Sequence, residues 1–387
     1  MSSPDLTDCE REAVASVLRT PRLSMGPQER VFEEAIKDYV GMKHAIAVSS
    51  GTAGLHLCVR AAGISDGDWV ITTPFSFVAS TNVILYERAV PVFVDVDPKS
   101  GNLDPAQVME AVSALRQGGS KSRGWLPRNG TEWKGDLKAL LAVDVFGQPA
   151  EYSKLESVVK EHGLQLIEDS CEALGSTYQG RSAGTYGDGA VFAFYPNKQI
   201  TTAEGGVVVT NRNDWEVAIR AMRNQGRAPG DTWLSHTYLG YNYRLDELSA
   251  ALGAAQMNRL DELIDKRNRV ASWYQDRLAS IDGVEAPHVL SATTRISWFV
   301  YVVRFDPVID RDRVVRMLAD ERIPARPYFA PIHLQKYMKE RFGYMDGDYP
   351  VAEDLGRRSL ALPFSSVMGE EEVELVCDAL NRVIGAL

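Results

Sequence analysis

Phe194-Tyr-Pro-Asn-Lys-Gln-Ile-Thr-Thr-Ala-Glu-Gly-Gly206 is the stretch on which the fold turns. Two short apolar runs flank it, Ala190–Phe194 and Val207–Thr210, and both have the length and composition of strands. Lys198 stands four residues beyond the first run, followed by small and hydroxyl residues and then by Gly205-Gly206. Most lysines are solvated surface charges. A lysine confined to a tight, partly apolar loop differs, because burial disfavours the ammonium form. A neutral amine is what attacks an aldehyde to form a Schiff base.

Working outward, Leu164–Glu168 reads as a strand with Asp169 at its carboxyl end. In parallel α/β sheets, ligands bind along that edge. An Asp there serves either as a helix N-cap or as the carboxylate partner of a protonated ring nitrogen. Farther upstream, strand-like Ala45–Val48 runs into Ser49-Ser-Gly-Thr-Ala53 and then a helical stretch from Gly54 through Arg60. First-turn N–H groups with small hydroxyl side chains make a phosphate cradle, although a plain Ser-capped helix has the same sequence pattern. Strand-like Trp69–Thr72, Val90–Asp95 and Leu140–Val145 alternate with helix-like Ala79–Tyr86, Pro105–Ala114 and Tyr152–His162. This alternation predicts an α/β fold with a mostly parallel central sheet and helices on both faces.

Outside this block, Glu10–Leu18 and Gln28–Val40 show helical spacing of apolar residues, and Gly118–Gly135 has the composition of a surface loop. One long helix is expected over Asp246–Leu278, with the domain change inside it near Asn258. The division is a large α/β domain, residues 1–257, and a small C-terminal α+β domain, residues 258–387. Strand-like Trp298–Phe305 and helix-like Arg311–Glu321 lie in the latter. A chain of 387 residues exceeds the roughly 250–300 at which a single core stops growing.

The formal net charge is −10, with no long basic run, which argues against nucleic-acid binding through phosphate contacts. The four cysteines, Cys9, Cys58, Cys171 and Cys377, show no CxxC spacing; they read as reduced thiols of a cytoplasmic protein, with no metal site expected. Met1 to Leu6 has neither the basic flank nor the apolar core of a signal peptide, and no apolar run reaches the ~18 residues of a membrane span.

Taken together, five motifs resemble the DegT/DnrJ/EryC1/StrS family of sugar aminotransferases. They are Ser50-Gly-Thr-Ala53, Glu168-Asp-Ser-Cys-Glu-Ala-Leu-Gly175, the Phe194–Gly206 stretch, Tyr241-Asn-Tyr-Arg244 and Arg326-Pro-Tyr-Phe-Ala-Pro-Ile-His333. The resemblance implies an aspartate-aminotransferase-like enzyme of fold-type I, using pyridoxal 5′-phosphate as cofactor and working as a homodimer with shared active sites. It implies Lys198 as the cofactor-holding lysine and Asp169 as the partner of the pyridinium nitrogen. Phe77, in Pro74-Phe-Ser-Phe-Val-Ala-Ser80, matches the aromatic that stacks on the ring. Gly51, Thr52 and Ala53 match phosphate binders, and Asn242 matches a residue that reaches the phosphate from the neighbouring subunit. Arg326 and His333 fall where the family shapes the substrate side. The implied reaction moves an amino group from a donor, L-glutamate by analogy, to a nucleotide-linked keto-sugar in amino-sugar, polysaccharide or glycoside biosynthesis.

Three positions depart from the commoner family pattern. Glu172 stands where many members have Gln or His near the cofactor's 3′-oxygen, and an ionised Glu there would repel a phenolate, so it is expected to be protonated or turned away. Ala193 replaces a phosphate-binding serine, and Asp144, in Asp144-Val-Phe-Gly147, replaces a His. Two other readings compete with this one. A nucleotide-sugar dehydratase of the same family would carry His in place of Lys198. A non-catalytic cofactor-binding regulator would be expected to show a helix-turn-helix or a basic stripe, and the sequence has neither.

Overall fold

The computed structural model describes residues 3–129 and 135–387. Seven strands form its main sheet. Their order across it is His44–Val48, Gly206–Thr210, Gly189–Ala193, Gln165–Asp169, Leu137–Val143, Trp69–Thr72 and Val90–Phe93. Gly206–Thr210 alone runs antiparallel to its two neighbours; the four pairings beyond Gly189–Ala193 are all parallel.

Alternate residues of each strand point to opposite faces, and here both faces are buried. Ile46, Val48, Val70, Leu141, Ile167, Val191 and Val208 enter one core with the helices Gly51–Ala61 and Asn213–Arg223. Ala45, Ala47, Ala190, Phe192, Val207 and Val209 enter another, under Pro27–Val40 and Glu247–Met257. Ile71, Leu140, Ala142 and Leu166 continue that second face under Pro105–Gln117 and Tyr152–His162. This is the expected α/β layering, with residues apolar on both sides as a buried parallel sheet requires.

A second sheet of four antiparallel strands, in the order Val284–Glu285, Tyr301–Phe305, Ser359–Leu362 and Arg326–Pro327, packs under Leu260–Leu278, Arg311–Asp320 and Glu370–Gly385. It is the smaller C-terminal α+β part.

Two expectations need correction. The single helix over Asp246–Leu278 is two helices, Glu247–Met257 and Leu260–Leu278. Arg259 leaves helical geometry at φ −116°, ψ 6°, and its guanidinium bonds Asp5, Glu10 and Glu262. The apolar period runs through the break, so periodicity could not reveal it. We propose this break as the boundary between residues 1–257 and 258–387. The loop expected over Gly118–Gly135 contains a one-turn helix, Gly119–Arg123, held by local bonds such as Ser122 Oγ to the Gly119 carbonyl at 3.0 Å. The rest of that expected loop includes residues 130–134, which lie outside the described residues.

Candidate active site

The sheet register brings three of the five motifs together. Gly206 is paired with Val48 on one side and Ala193 on the other. The turn after Val48 and the loop after Ala193 therefore leave the same sheet edge as neighbours. Asp169 is two strands from Gly206 and pairs with Val191 and Val143. Glycine at 206 is required by this crossing, since a Cβ there would meet the Ser50 carbonyl carbon at 2.7 Å.

A cavity of about 480 Å³ opens at this edge. Of the residues singled out from sequence, Gly51, Thr52, Phe77, Asp169, Glu172, Lys198 and Arg326 line it. Ser50 caps the helix Gly51–Ala61, its Oγ accepting from the Ala53 N–H at 3.1 Å. Ala53 is thus buried just behind the wall. The Gly51 and Thr52 N–H groups belong to the first turn, which an α-helix leaves without internal acceptors, and the helix dipole adds positive potential there. A Cβ on Gly51 would lie 2.7 Å from the Ala193 Cβ and 2.9 Å from the Cys171 Sγ, so the cradle is closely packed from below.

Asp169 is buried at the carboxyl end of its strand. Its Oδ2 accepts from Ser80 Oγ at 2.6 Å and its Oδ1 from the Cys171 N–H at 3.2 Å. The neighbouring carboxylates hold this strand end in place. Glu168 accepts from the N–H groups of Gly184, Tyr186 and Gly187. Asp144 accepts from Ser170 Oγ at 2.6 Å, Tyr152 Oη at 2.7 Å and the Ala150 N–H at 3.0 Å. Burial raises the Asp144 pKa to about 7 against those hydrogen bonds.

Two groups lie close to Lys198 Nζ among the described residues. Glu172 Oε1 lies 3.5 Å away, and the centroid of the Phe299 ring 3.8 Å away. Only 12% of the lysine side chain and 9% of the glutamate side chain are exposed, so the pair is shielded from water screening. The other Glu172 oxygen accepts from the Phe146 N–H at 2.9 Å. Burial raises the Glu172 pKa, with Lys198 opposing. Glu172 is held in a divided arrangement, one oxygen on a backbone donor and the other toward the lysine, and its raised pKa is in keeping with the expectation that it is protonated or turned away.

Besides Ala53, Asn242 and His333 also lie outside the cavity lining. Asn242 is on the surface, bridged to Asn224. His333 is fully buried; its Nε2 sits 3.0 Å from Glu353 Oε1 and its ring packs edge-on against Tyr349. The Ile332 N–H bonds the Pro74 carbonyl at 2.7 Å, which fastens this segment and leaves His333 facing inward. Burial lowers the His333 pKa against the pull of Glu353. Phe299, Tyr328, Glu204 and Cys171 also line the cavity and were given no role from sequence. Phe299 comes from a segment whose pattern shows only a strand, so its approach to Lys198 depends on tertiary packing.

Among the described residues no group of His, Cys, Asp and Glu could hold a metal ion, and no helix is long and apolar enough to cross a membrane.

Residues 4–381 match the DegT/DnrJ/EryC1/StrS aminotransferase family. The chain is 35% identical to a GDP-perosamine synthase of Caulobacter vibrioides over 388 residues, covering 99% of this chain and 98% of that one. It is 34% identical to the putative pyridoxal phosphate-dependent aminotransferase EpsN of Bacillus subtilis, covering 98% and 94%. Among solved structures, Helicobacter pylori PseC, an aminotransferase of pseudoaminic acid biosynthesis, superimposes with a TM-score of 0.88 at 27% identity, covering 100% and 99% of the two chains.

Proposed function

The chain belongs to the DegT/DnrJ/EryC1/StrS aminotransferase family, a pyridoxal-phosphate-dependent sugar aminotransferase, and from that premise we propose that it moves an amino group from L-glutamate to a nucleotide-linked keto-sugar. One observation carries the reading: a shielded lysine, a strand-end carboxylate and a helix N-terminus line a single cavity. The residues present fit the cofactor. The amine of Lys198 would hold its aldehyde carbon. The Asp169 carboxylate would face the ring nitrogen and keep it protonated. Gly51, Thr52 and Ser50 would bind the phosphate at the helix N-terminus, with Ala53 fixing the cap. Phe77, 63% exposed at the cavity mouth, would cover the ring face.

The bound cofactor supplies an electron sink for the carbon that loses its proton. Lys198 then has two tasks. Its amine would hold the cofactor until an amino substrate binds, and as a free base it would accept and return the proton at the substrate carbon. Glu172 lies within reach to share that proton with Lys198. Arg326, which lines the cavity, would take an anionic group of either substrate. The two substrates enter one cavity in turn, so the kinetics are ping-pong.

A second copy of the chain completes the site. Trp233 (77%), Leu234 (83%) and Leu239 (73%) are exposed in the segment leading to Asn242. Such an apolar surface suits a subunit interface, and one there would carry Asn242 to the partner's phosphate site.

The test is a half-reaction. L-Glutamate added to the holoenzyme should bleach the cofactor's visible band with one equivalent of 2-oxoglutarate per site, and a nucleotide-linked keto-sugar should restore it. A protein whose band survives millimolar L-glutamate would sink the donor assignment. One that accepts free keto-sugars as well as nucleotide-linked ones would sink the acceptor assignment.

A further inference from the structure

Arg267 lies on Leu260–Leu278 in the series Leu263, Ile264, Arg267, Val270, Ala271 and Tyr274, all of them buried. A cation in an apolar series normally has a carboxylate partner. Among the described residues Arg267 has none within ion-pair distance. Its Nη1 donates to the carbonyls of Trp298 at 3.0 Å and Phe299 at 3.3 Å. Its Nη2 donates to the carbonyl of Lys198 at 2.7 Å. The Phe364 ring, 5.7 Å away, is its only aromatic contact among the described residues. Burial lowers its pKa to about 10, so it remains charged at neutral pH.

Those three acceptors share a geometric consequence. The guanidinium fixes the main chain of Lys198 and, from the same planar fork, the main chain of Phe299. The Phe299 ring is the surface on which the Lys198 amine rests, 3.8 Å from its centroid. One side chain therefore sets both ends of the amine–ring contact. We propose, on the reading that Lys198 holds the cofactor, that Arg267 is a positioning residue for that lysine and that its unneutralised charge depresses the proton affinity of the lysine–cofactor linkage.

The fork and the charge are separable. Lysine keeps the charge but cannot reach three carbonyls from one plane. Glutamine keeps one donor group and removes the charge. The other charged or titratable groups around the Lys198 amine are Asp169, Cys171, Glu172, Tyr195, Glu204, Arg326 and Tyr328. None is on the helix of Arg267, so both substitutions leave them in place.

The experiment is a spectrophotometric pH titration of the cofactor band, with steady-state kinetics, on wild type, Arg267→Lys and Arg267→Gln. Circular dichroism and cofactor content confirm folding. In Arg267→Gln the pH midpoint of the band should rise by on the order of one unit, because removing a buried unit charge near the linkage relieves its repulsion of the proton. In Arg267→Lys the midpoint should stay near wild type while kcat falls at least tenfold and the KM for the amino donor stays within twofold. If Arg267→Gln does not fold, the kcat–KM split in Arg267→Lys decides. Unchanged midpoints in both variants, with loss only of thermal stability, would show an ordinary structural arginine. Wild-type kcat in Arg267→Lys would equally overturn the positioning role. A wild-type protein lacking the band, or carrying its cofactor on another lysine, would overturn the functional reading itself, which sets that failure apart from a failure of this proposal.

Discussion

Replacing Glu172 with Gln removes one negative charge from beside the Lys198 amine and changes little else in shape. The Oε1–Nζ distance of 3.5 Å corresponds to an attraction of about 4–5 kcal/mol for unit charges at an effective dielectric near 20. A longer separation once the amine is joined to the cofactor would leave about 2–3 kcal/mol of this. That amounts to about 1.5–2.5 pH units. The sign follows from the charge: a carboxylate favours the protonated linkage, so its removal lowers the midpoint of the cofactor band. Burial raises the Glu172 pKa, so the full difference appears only above the pH at which Glu172 ionises, and the two curves converge below it. The Phe146 N–H still finds an acceptor in the Gln side-chain oxygen, so folding should be preserved. The assay is a titration of the visible band in both proteins. Superimposable curves would refute the reasoning, because they would place the carboxylate charge outside the field of the linkage. The shift is opposite in direction to that expected for Arg267→Gln, so the two titrations check one another.

Three further outcomes follow from the geometry. Asp169→Asn keeps the Ser80 bond but removes the charge facing the ring nitrogen; the cofactor should remain bound while kcat falls by orders of magnitude, and near wild-type turnover would refute the role. Gly51→Ala adds a Cβ 2.7 Å from the Ala193 Cβ; overpacking of about 1–3 kcal/mol should outweigh the helix-propensity gain of about 1 kcal/mol, lowering the urea midpoint and loosening cofactor binding, whereas a stabilised variant would contradict the cradle. Mixing inactive Lys198→Ala with inactive Asn242→Ala protein should restore activity, because each hybrid dimer keeps one intact site; demonstrated subunit exchange with no activity would confine Asn242 to its own chain.

The sequence carried the layered fold because strand and helix periods are local. Trp69–Thr72, Ala79–Tyr86 and Tyr152–His162 coincide with their expected bounds. Periodicity failed where the physics is not periodic. The helix break at Asn258–Arg259 depends on ion pairs to Asp5 and Glu10, some 250 residues away in sequence. The one-turn helix Gly119–Arg123 has no apolar repeat to announce it. The motifs of the cavity were legible because each belongs to one strand end or one helix start, and those ends share a sheet edge. His333 lies outside the cavity lining because a motif fixes a segment and not the direction of its side chain; its burial on Glu353 is set by a helix that begins at Pro350. Arg267 left a usable trace, a cation at a core position of an amphipathic helix, but its acceptors are carbonyls, which no sequence pattern marks.

Covalent attachment of the cofactor to Lys198 is checked by reducing the holoenzyme with borohydride and mapping its peptides. The visible band should be lost, and a single reduced pyridoxyl adduct should appear on Lys198, in the peptide containing Asn197-Lys-Gln199. An adduct on any other lysine, or a band that resists reduction and leaves Lys198 unmodified, would contradict it.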